Sequence, residues 1–287
     1  MALKFSNKSL VPMTILDRIL PDVRRELDAA RALVPLEEMV EHAAAAPPVR
    51  DFAAALSGPG FGLIAEVKRR SPSMGEMRPE NAEAAEQVYQ VSPLVRAVSV
   101  LTNQAHFGSG MEDLERIAAK STKPVLRKDF ILDPYQIYAA RAAGADAVLL
   151  MANVLTQEQM GQLYHVVLSL GMSALFEVHE KLEIEALPDH AQIVGINSRK
   201  FKSQEGFVAA GQSSDEDFTL DFSSFELASH LPSGSIRVAE SGVTPATVAP
   251  LARHFDAALV GTSLLRDPRG VSESLEDFAR ALAGIGV

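Results

Sequence analysis

The stretch PVLRKDFILDPYQIYAARAAGADAVLL, Pro124–Leu150, sets the architecture. It opens on a short strand-like run, Pro124–Phe130. A helix-compatible stretch follows over Pro134–Ala143, and a second apolar run, Ala147–Met151, comes directly after it. Strand, helix and strand in so short a span imply a parallel pair joined by a right-handed crossover.

The same unit repeats outward in both directions. Strand-like runs stand at Leu63–Lys68, Ala97–Thr102, Ala174–Val178, Ile193–Asn197, Ile236–Ser241 and Ala257–Gly261. Helix-compatible stretches follow them at Pro79–Tyr89, Met111–Ala119, Thr156–Leu170, Lys181–Leu187, Phe222–His230, Pro245–Ala252 and Ser272–Ala283. Eight such units predict a closed α/β barrel, the (β/α)8 TIM barrel, rather than an open sheet. A doubly wound sheet would also need a Gly-rich phosphate turn after its first strand, and KRRSPSMG (Lys68–Gly75) contains no such turn.

Ahead of the barrel, Ile15, Ile19, Leu20 and Val23 fall on one helical stripe, and Pro35, Pro47 and Pro48 break the region into two or three short helices. Residues 1–62 are therefore expected to be a helical extension packed on a barrel of residues 63–287, the whole forming one domain.

Composition narrows the function. The chain has 287 residues, 47% hydrophobic and 22% charged, as in ordinary globular proteins. It has no Cys, which excludes disulfides, cysteine–zinc sites and thiol nucleophiles. With 27 Lys and Arg against 37 Asp and Glu, the net charge is −10, which argues against nucleic-acid binding. No run is long and apolar enough to span a membrane, and the N-terminus lacks a signal-peptide pattern, so a cytoplasmic location is expected.

The chemistry is expected at the strand C-terminal ends. Alternation along barrel strands points Glu66 and Lys68, Leu126, Lys128 and Phe130, Glu177, Asn197 with Arg199, and Glu240 inward. Five strands thus end in polar or charged inward residues, and active sites of this fold lie at that face. The plainer alternative is a satisfied ion-pair network. Lys68, Arg69, Arg70, Arg127, Lys128, Arg199, Lys200 and Lys202 cluster at the same ends, which suits an anionic substrate, although alternation turns Arg127 and Asp129 outward as a structural pair. Ser241, Gly242, Gly261 and Thr262 follow the last two strands, where barrels commonly bind phosphate through backbone N–H groups. Phe107, Leu126, Phe130 and Leu149 are placed to wall a planar ring, or simply to fill the core.

The segment RKFKSQEGFVAAGQSSDEDFTLD (Arg199–Asp221) is far longer than a typical loop. A lid is expected over Lys200–Asp217, ordered near Lys200 and mobile beyond it; a passive insertion is the alternative.

These residues resemble one family. IAEVKRRSPSMG (Ile64–Gly75), SVLTNQAHFGSG (Ser99–Gly110), the Pro124–Leu150 stretch, FEVH (Phe176–His179), GINSR (Gly195–Arg199), AESG (Ala239–Gly242) and VGTSLLR (Val260–Arg266) are similar to indole-3-glycerol-phosphate synthase. The resemblance runs from about Leu63 to Arg266. It implies a carboxy-lyase of tryptophan biosynthesis that converts 1-(2-carboxyphenylamino)-1-deoxyribulose 5-phosphate to indole-3-glycerol phosphate without metal or organic cofactor. The implied partner is a small anionic phosphate substrate, handled by a monomer with no fused pathway enzyme.

The resemblance also implies roles. Lys128 protonates the carbonyl oxygen, Glu177 is the base in dehydration, and Lys68 binds the carboxylate. Glu66 and Asn197 orient Lys68 and the sugar, and Glu240 completes the polar ring. Ser71, Pro72, Arg199, Ser241, Gly242, Gly261 and Thr262 contact substrate or hold its phosphate. Phe107, Leu126, Phe130 and Leu149 line the anthranilate pocket. Met74 stands where the family usually has Lys, and the long insertion after Arg199 is atypical. The alternatives are a phosphoribosylanthranilate isomerase, an aldolase with Lys128 as Schiff-base nucleophile, and a non-catalytic paralogue.

Overall fold

The computed structural model describes residues 15–199 and 220–284; the expected lid over Lys200–Asp217 lies outside the described residues. Eight parallel strands close into a barrel. They are β1 (Gly62–Val67), β2 (Val95–Leu101), β3 (Val125–Lys128), β4 (Ala147–Met151), β5 (Ser173–Val178), β6 (Ile193–Asn197), β7 (Ile236–Glu240) and β8 (Ala257–Val260). Neighbours in sequence are neighbours in the sheet, and β8 returns to β1 through the pairs Gly62↔Ala257 and Ala65↔Val260. The expected (β/α)8 barrel is the observed one, with strand ends trimmed.

Strict alternation sorts the apolar residues into two cores. Ile64, Ala97, Leu126, Leu149, Leu175, Ile193, Val238 and Leu259 belong to the cluster inside the barrel. Leu63, Ala65, Val98, Val125, Leu150, Phe176, Val194 and Val260, one residue away on their strands, belong to the cluster under the outer helices. Phe176 meets Tyr164 of helix Gln157–Ser169 edge-on, with ring centroids 4.9 Å apart. Burying a side chain of this kind contributes roughly 1.5–3 kcal/mol.

Two of the eight connecting helices depart from expectation. Phe222–His230 is a 3₁₀ helix rather than an α-helix. There the Ser223 hydroxyl donates to Asp221 and the Ser229 hydroxyl to the Glu226 carbonyl, local bonds that compete with the α-ladder. The Pro245–Ala252 stretch shrinks to Val248–Leu251, because Pro245 and Pro250 have no N–H to give.

Three helices precede the barrel: α1 (Ile15–Leu33), α2 (Leu36–Ala45) and α3 (Phe52–Leu56). Ile15, Leu16, Ile19, Leu20 and Val23 of α1 and Phe52, Ala53 and Leu56 of α3 join the inner cluster of the barrel itself. The Tyr135 hydroxyl donates to the Ala30 and Val34 carbonyls, both at 3.0 Å, and Arg31 pairs with Asp133 at 2.5 Å. Arg50, between α2 and α3, pairs with Asp146 at 2.8 Å and donates to the carbonyls of Ala118, Ser121 and Gly144. No helix among the described residues is long and apolar enough to cross a membrane.

Candidate active site at the mouth of the barrel

The polar strand ends converge on one cavity of about 490 Å³, lined by Glu66, Lys68, Lys128, Glu177, Asn197 and Glu240. Each reaches it by the same local rule: it is the last or near-last inward residue of its strand, just above the apolar inner cluster. Lys128 Nζ stands 3.2 Å from Glu177 Oε2 and 3.3 Å from Glu240 Oε2. Lys68 Nζ donates to Glu66 Oε1 at 2.6 Å. Carboxylates this deep are costly unless paired, and the two lysines pair with three of them.

Burial and charge then separate these groups. Burial alone would push the Lys128 ammonium down, but Glu177, Glu240 and Glu66 outweigh it and hold Lys128 above the ordinary lysine range. Burial raises Glu177, yet Lys128 and His179 overcome it and leave Glu177 well below the carboxylate range. Glu240 goes the other way: burial, reinforced by repulsion from Glu177 and opposed by Lys128, pushes it up to about 8. Glu66 is also raised by burial but falls below its usual value beside Lys68 and Lys128. A cation, an ionised base and a carboxyl that retains its proton near neutrality stand together. Such divergence marks acid–base sites.

Two glycines make room for two of these carboxylates. A Cβ on Gly195 would lie 2.0 Å from Glu240 Oε1, and one on Gly261 would lie 2.3 Å from Glu66 Oε1. Gly261, one of the residues expected to bind phosphate, thus also leaves space for Glu66.

The expected phosphate corner is present as geometry. Ser241, Gly242, Gly261 and Thr262 line the cavity, with Thr244 and Thr247 beside them. Ser241 and Gly242 are successive left-handed residues, at φ 66 and 67°. The Ser198 hydroxyl donates to the Ser241 carbonyl at 3.1 Å and pins that turn. Ser71, Pro72 and Arg199 also line the cavity, and Arg199 donates to Ser73 Oγ at 2.9 Å.

The apolar wall needs one correction. Phe107, Phe130 and Leu149 line the cavity, but Leu126 does not: it is fully buried in the inner cluster, one inward position below Lys128. Ile19 from α1, Leu101 from β2, Met151 from β4 and Leu259 from β8 also line the cavity. Sequence reasoning missed Ile19 because nothing local brings α1 to the mouth, whereas Met151 carried a usable signal, sharing a strand face with Leu149.

The strand-end cations also divide. Lys68, Lys128 and Arg199 line the cavity. Arg69 instead pairs with Asp113 at 3.1 Å, and Arg70 donates to the Gln104 and Ala105 carbonyls. Arg70 ties the first loop, a small hairpin of Arg70–Ser71 with Gly75–Glu76, to the helix Gln104–Phe107 that carries Phe107, and Arg69 ties it to the helix Met111–Lys120. Arg127 faces outward as expected and pairs with Asp129 at 2.9 Å. Lys200 and Lys202 lie outside the described residues.

Two charged residues next to the site were not singled out. His179 Nε2 lies 3.4 Å from Glu177 Oε1, and its Nδ1 lies 3.3 Å from Glu183 Oε2. The signal was available in FEVH, since His179 follows Glu177 by two and shares its face.

A closed barrel with an acid–base centre at its C-terminal mouth defines a (β/α)8 enzyme. The family follows from comparison. A family model described as indole-3-glycerol phosphate synthase matches residues 16–275, so the chain belongs to the indole-3-glycerol phosphate synthase family, carboxy-lyases of tryptophan biosynthesis. Indole-3-glycerol phosphate synthase of Saccharopolyspora erythraea is 42% identical over 258 residues, covering 88% of this chain and 90% of the relative. That of Mycolicibacterium smegmatis is 43% identical over 270 residues, covering 91% and 93%. Solved structures share the fold at low identity. A 3-hexulose-6-phosphate synthase from Salmonella typhimurium has TM-score 0.57 at 13% identity, covering 78% of this chain and all of that one. An N-(5'-phosphoribosyl)anthranilate isomerase from Pyrococcus furiosus has TM-score 0.51 at 11% identity, covering 78% and 99%.

Proposed function

We propose that the cavity closes the indole ring of 1-(2-carboxyphenylamino)-1-deoxyribulose 5-phosphate by Lys128-assisted attack on its ketone. The observation that carries this reading is the Lys128 ammonium, held between Glu177 and Glu240 beside Phe107, Phe130 and Leu149. The ring carbon bearing the carboxylate attacks the ketone carbon, and Lys128 gives its proton to the ketone oxygen as negative charge grows there. Carbon dioxide leaves, and the electrons of its bond return to the ring system. The hydroxyl then departs as water on a proton given by the Lys68 ammonium, while Glu177, an ionised carboxylate, takes the proton lost from the ring intermediate.

Lys68 holds the departing carboxylate. Its pairing with Glu66 at 2.6 Å supports the part of Glu66 in orienting it. Asn197 accepts from the Arg199 N–H at 2.9 Å and faces the sugar. Glu240, partly protonated near neutrality, completes the polar ring. The phosphate takes the corner formed by Ser241, Gly242, Gly261 and Thr262, with Ser71, Pro72 and Arg199 closing over it. The enzyme is read as a monomer that works in the cytoplasm.

The direct test is turnover of this substrate by the purified protein. The chain has no Trp, so indole fluorescence rises over a low background. Substrate trapped on Lys128 by borohydride, with no indole formed, would establish the aldolase reading instead.

A further inference from the structure

Glu177 has a second cation besides the one in the cavity. Lys128 faces its Oε2 at 3.2 Å, and His179 faces its Oε1 at 3.4 Å. His179 lies two residues beyond Glu177 at the end of β5 and therefore on the same face. It is 9% exposed and is not part of the cavity lining, so it meets Glu177 from behind. Its other ring nitrogen lies 3.3 Å from Glu183 Oε2 in the helix Lys181–Glu185, and the same oxygen accepts the His179 backbone N–H at 2.5 Å. With a carboxylate facing each ring nitrogen, the imidazole is favoured as a cation.

We propose that His179 is a positioning residue for the reaction: its imidazolium, anchored by Glu183, clamps Glu177 from behind and keeps that side chain an ionised, aimed base. The proposal rests on Glu177 serving as the base. The charged and polar groups facing the pair are Lys128 on β3, Asn197 on β6, Glu240 on β7, Glu66 on β1 and Glu183 on the following helix. Glu66 and Glu183 are carboxylates whose charge would favour a proton on Glu177; His179 and Lys128 are the cations that oppose it. Burial would drive His179 towards its neutral form, yet Glu177 and Glu183 overcome burial and push it up to about 10. The clamp therefore stays charged across the neutral range.

The test compares native protein, His179→Gln, Glu177→Gln and the double variant. Gln keeps a hydrogen-bond donor near Glu177 and removes the charge. The expected result for folded His179→Gln is a fall in kcat of roughly tenfold or more with a nearly unchanged KM. The acid limb of its kcat profile should move to higher pH, by about one unit, because Glu177 without its cation protonates more easily. Glu177→Gln should remove the effect, so that adding His179→Gln costs no further turnover. Lowered thermal stability with native kcat and a native acid limb would overturn the proposal and leave His179 a packing residue. Native turnover in Glu177→Gln would instead overturn Glu177 as the base, a separate failure. If His179→Gln does not fold, ¹⁵N spectra of the native protein give the answer: His179 protonated on both nitrogens through pH 8 supports the clamp, and a neutral ring at pH 7 refutes it.

Discussion

The carboxylate of Glu240 occupies the space that a side chain at Gly195 would fill, for a Cβ there would stand 2.0 Å from Glu240 Oε1. The two residues lie on adjacent strands, β6 and β7, whose register pairs Gly195 with Val238 and Asn197 with Glu240. Glu240 thus leans back across its neighbour strand, and from there its other oxygen reaches Lys128.

Gly195→Ala should therefore act on chemistry. The new methyl displaces Glu240, and overpacking of this kind costs about 1–3 kcal/mol. A fall in kcat of roughly tenfold or more is expected as Lys128 loses a partner. Steady-state kinetics alongside thermal unfolding check both parts; an unchanged kcat would remove Glu240 from the catalytic group.

Gly261→Ala tests the companion pair. Its methyl would press on Glu66 and through it on Lys68. The expected outcome is a loss in kcat/KM of roughly tenfold, with the inhibition constant of inorganic phosphate unchanged. A weakened phosphate constant of similar size would show that the methyl also disturbs the phosphate corner.

Neighbouring cations on β3 should behave oppositely. Lys128→Met is expected to cut turnover by about 10²–10⁴-fold, since it removes the acid facing the cavity. Arg127→Ala should instead unfold the protein more readily, by about 3–5 kcal/mol, because it strands the buried Asp129. Where Arg127→Ala remains folded, its kcat should be near native. Denaturation curves and turnover measured on the same two preparations separate these effects.

Stability should depend on pH in both directions. Glu66 and Glu177 are lowered in the folded state, so their contribution is present above the ordinary value of 4.5 and is lost as pH falls through their folded values. His179 and Glu240 are raised, to about 10 and about 8. Their contribution is full below their unfolded values of 6.5 and 4.5 and is lost as pH rises through the folded ones. Tm should therefore decline from about pH 4.5 to pH 10, most steeply between about 6.5 and 8 where both groups are losing their contribution, and His179→Gln should flatten the part above about pH 6.5. Calorimetric scans across this range provide the check, and a flat native profile would contradict the assigned charges.

Much of this protein can be read along the chain. Strand–helix repetition gives the barrel, because a parallel crossover has one favoured hand and eight of them close. A period of two gives the inward rows, which is why Glu66, Lys68, Lys128, Glu177, Asn197 and Glu240 could be selected as one set and Arg127 set apart from Lys128. That periodicity is local, so it survives in the sequence.

What the linear pattern does not carry is depth and distance. Leu126 and Phe130 share a face with Lys128, yet one is sealed core and the other cavity wall, because the level at which the interior changes from packed to open depends on all eight strands together. Ile19 reaches the mouth only because α1 shares its apolar cluster with the barrel interior. The bareness of Gly195 and Gly261 has its cause in carboxylates on adjacent strands, and His179 becomes a cation only between two buried carboxylates. Charge state, clearance and pairing are sums over neighbours remote in sequence, and those neighbours exist only once the barrel has closed.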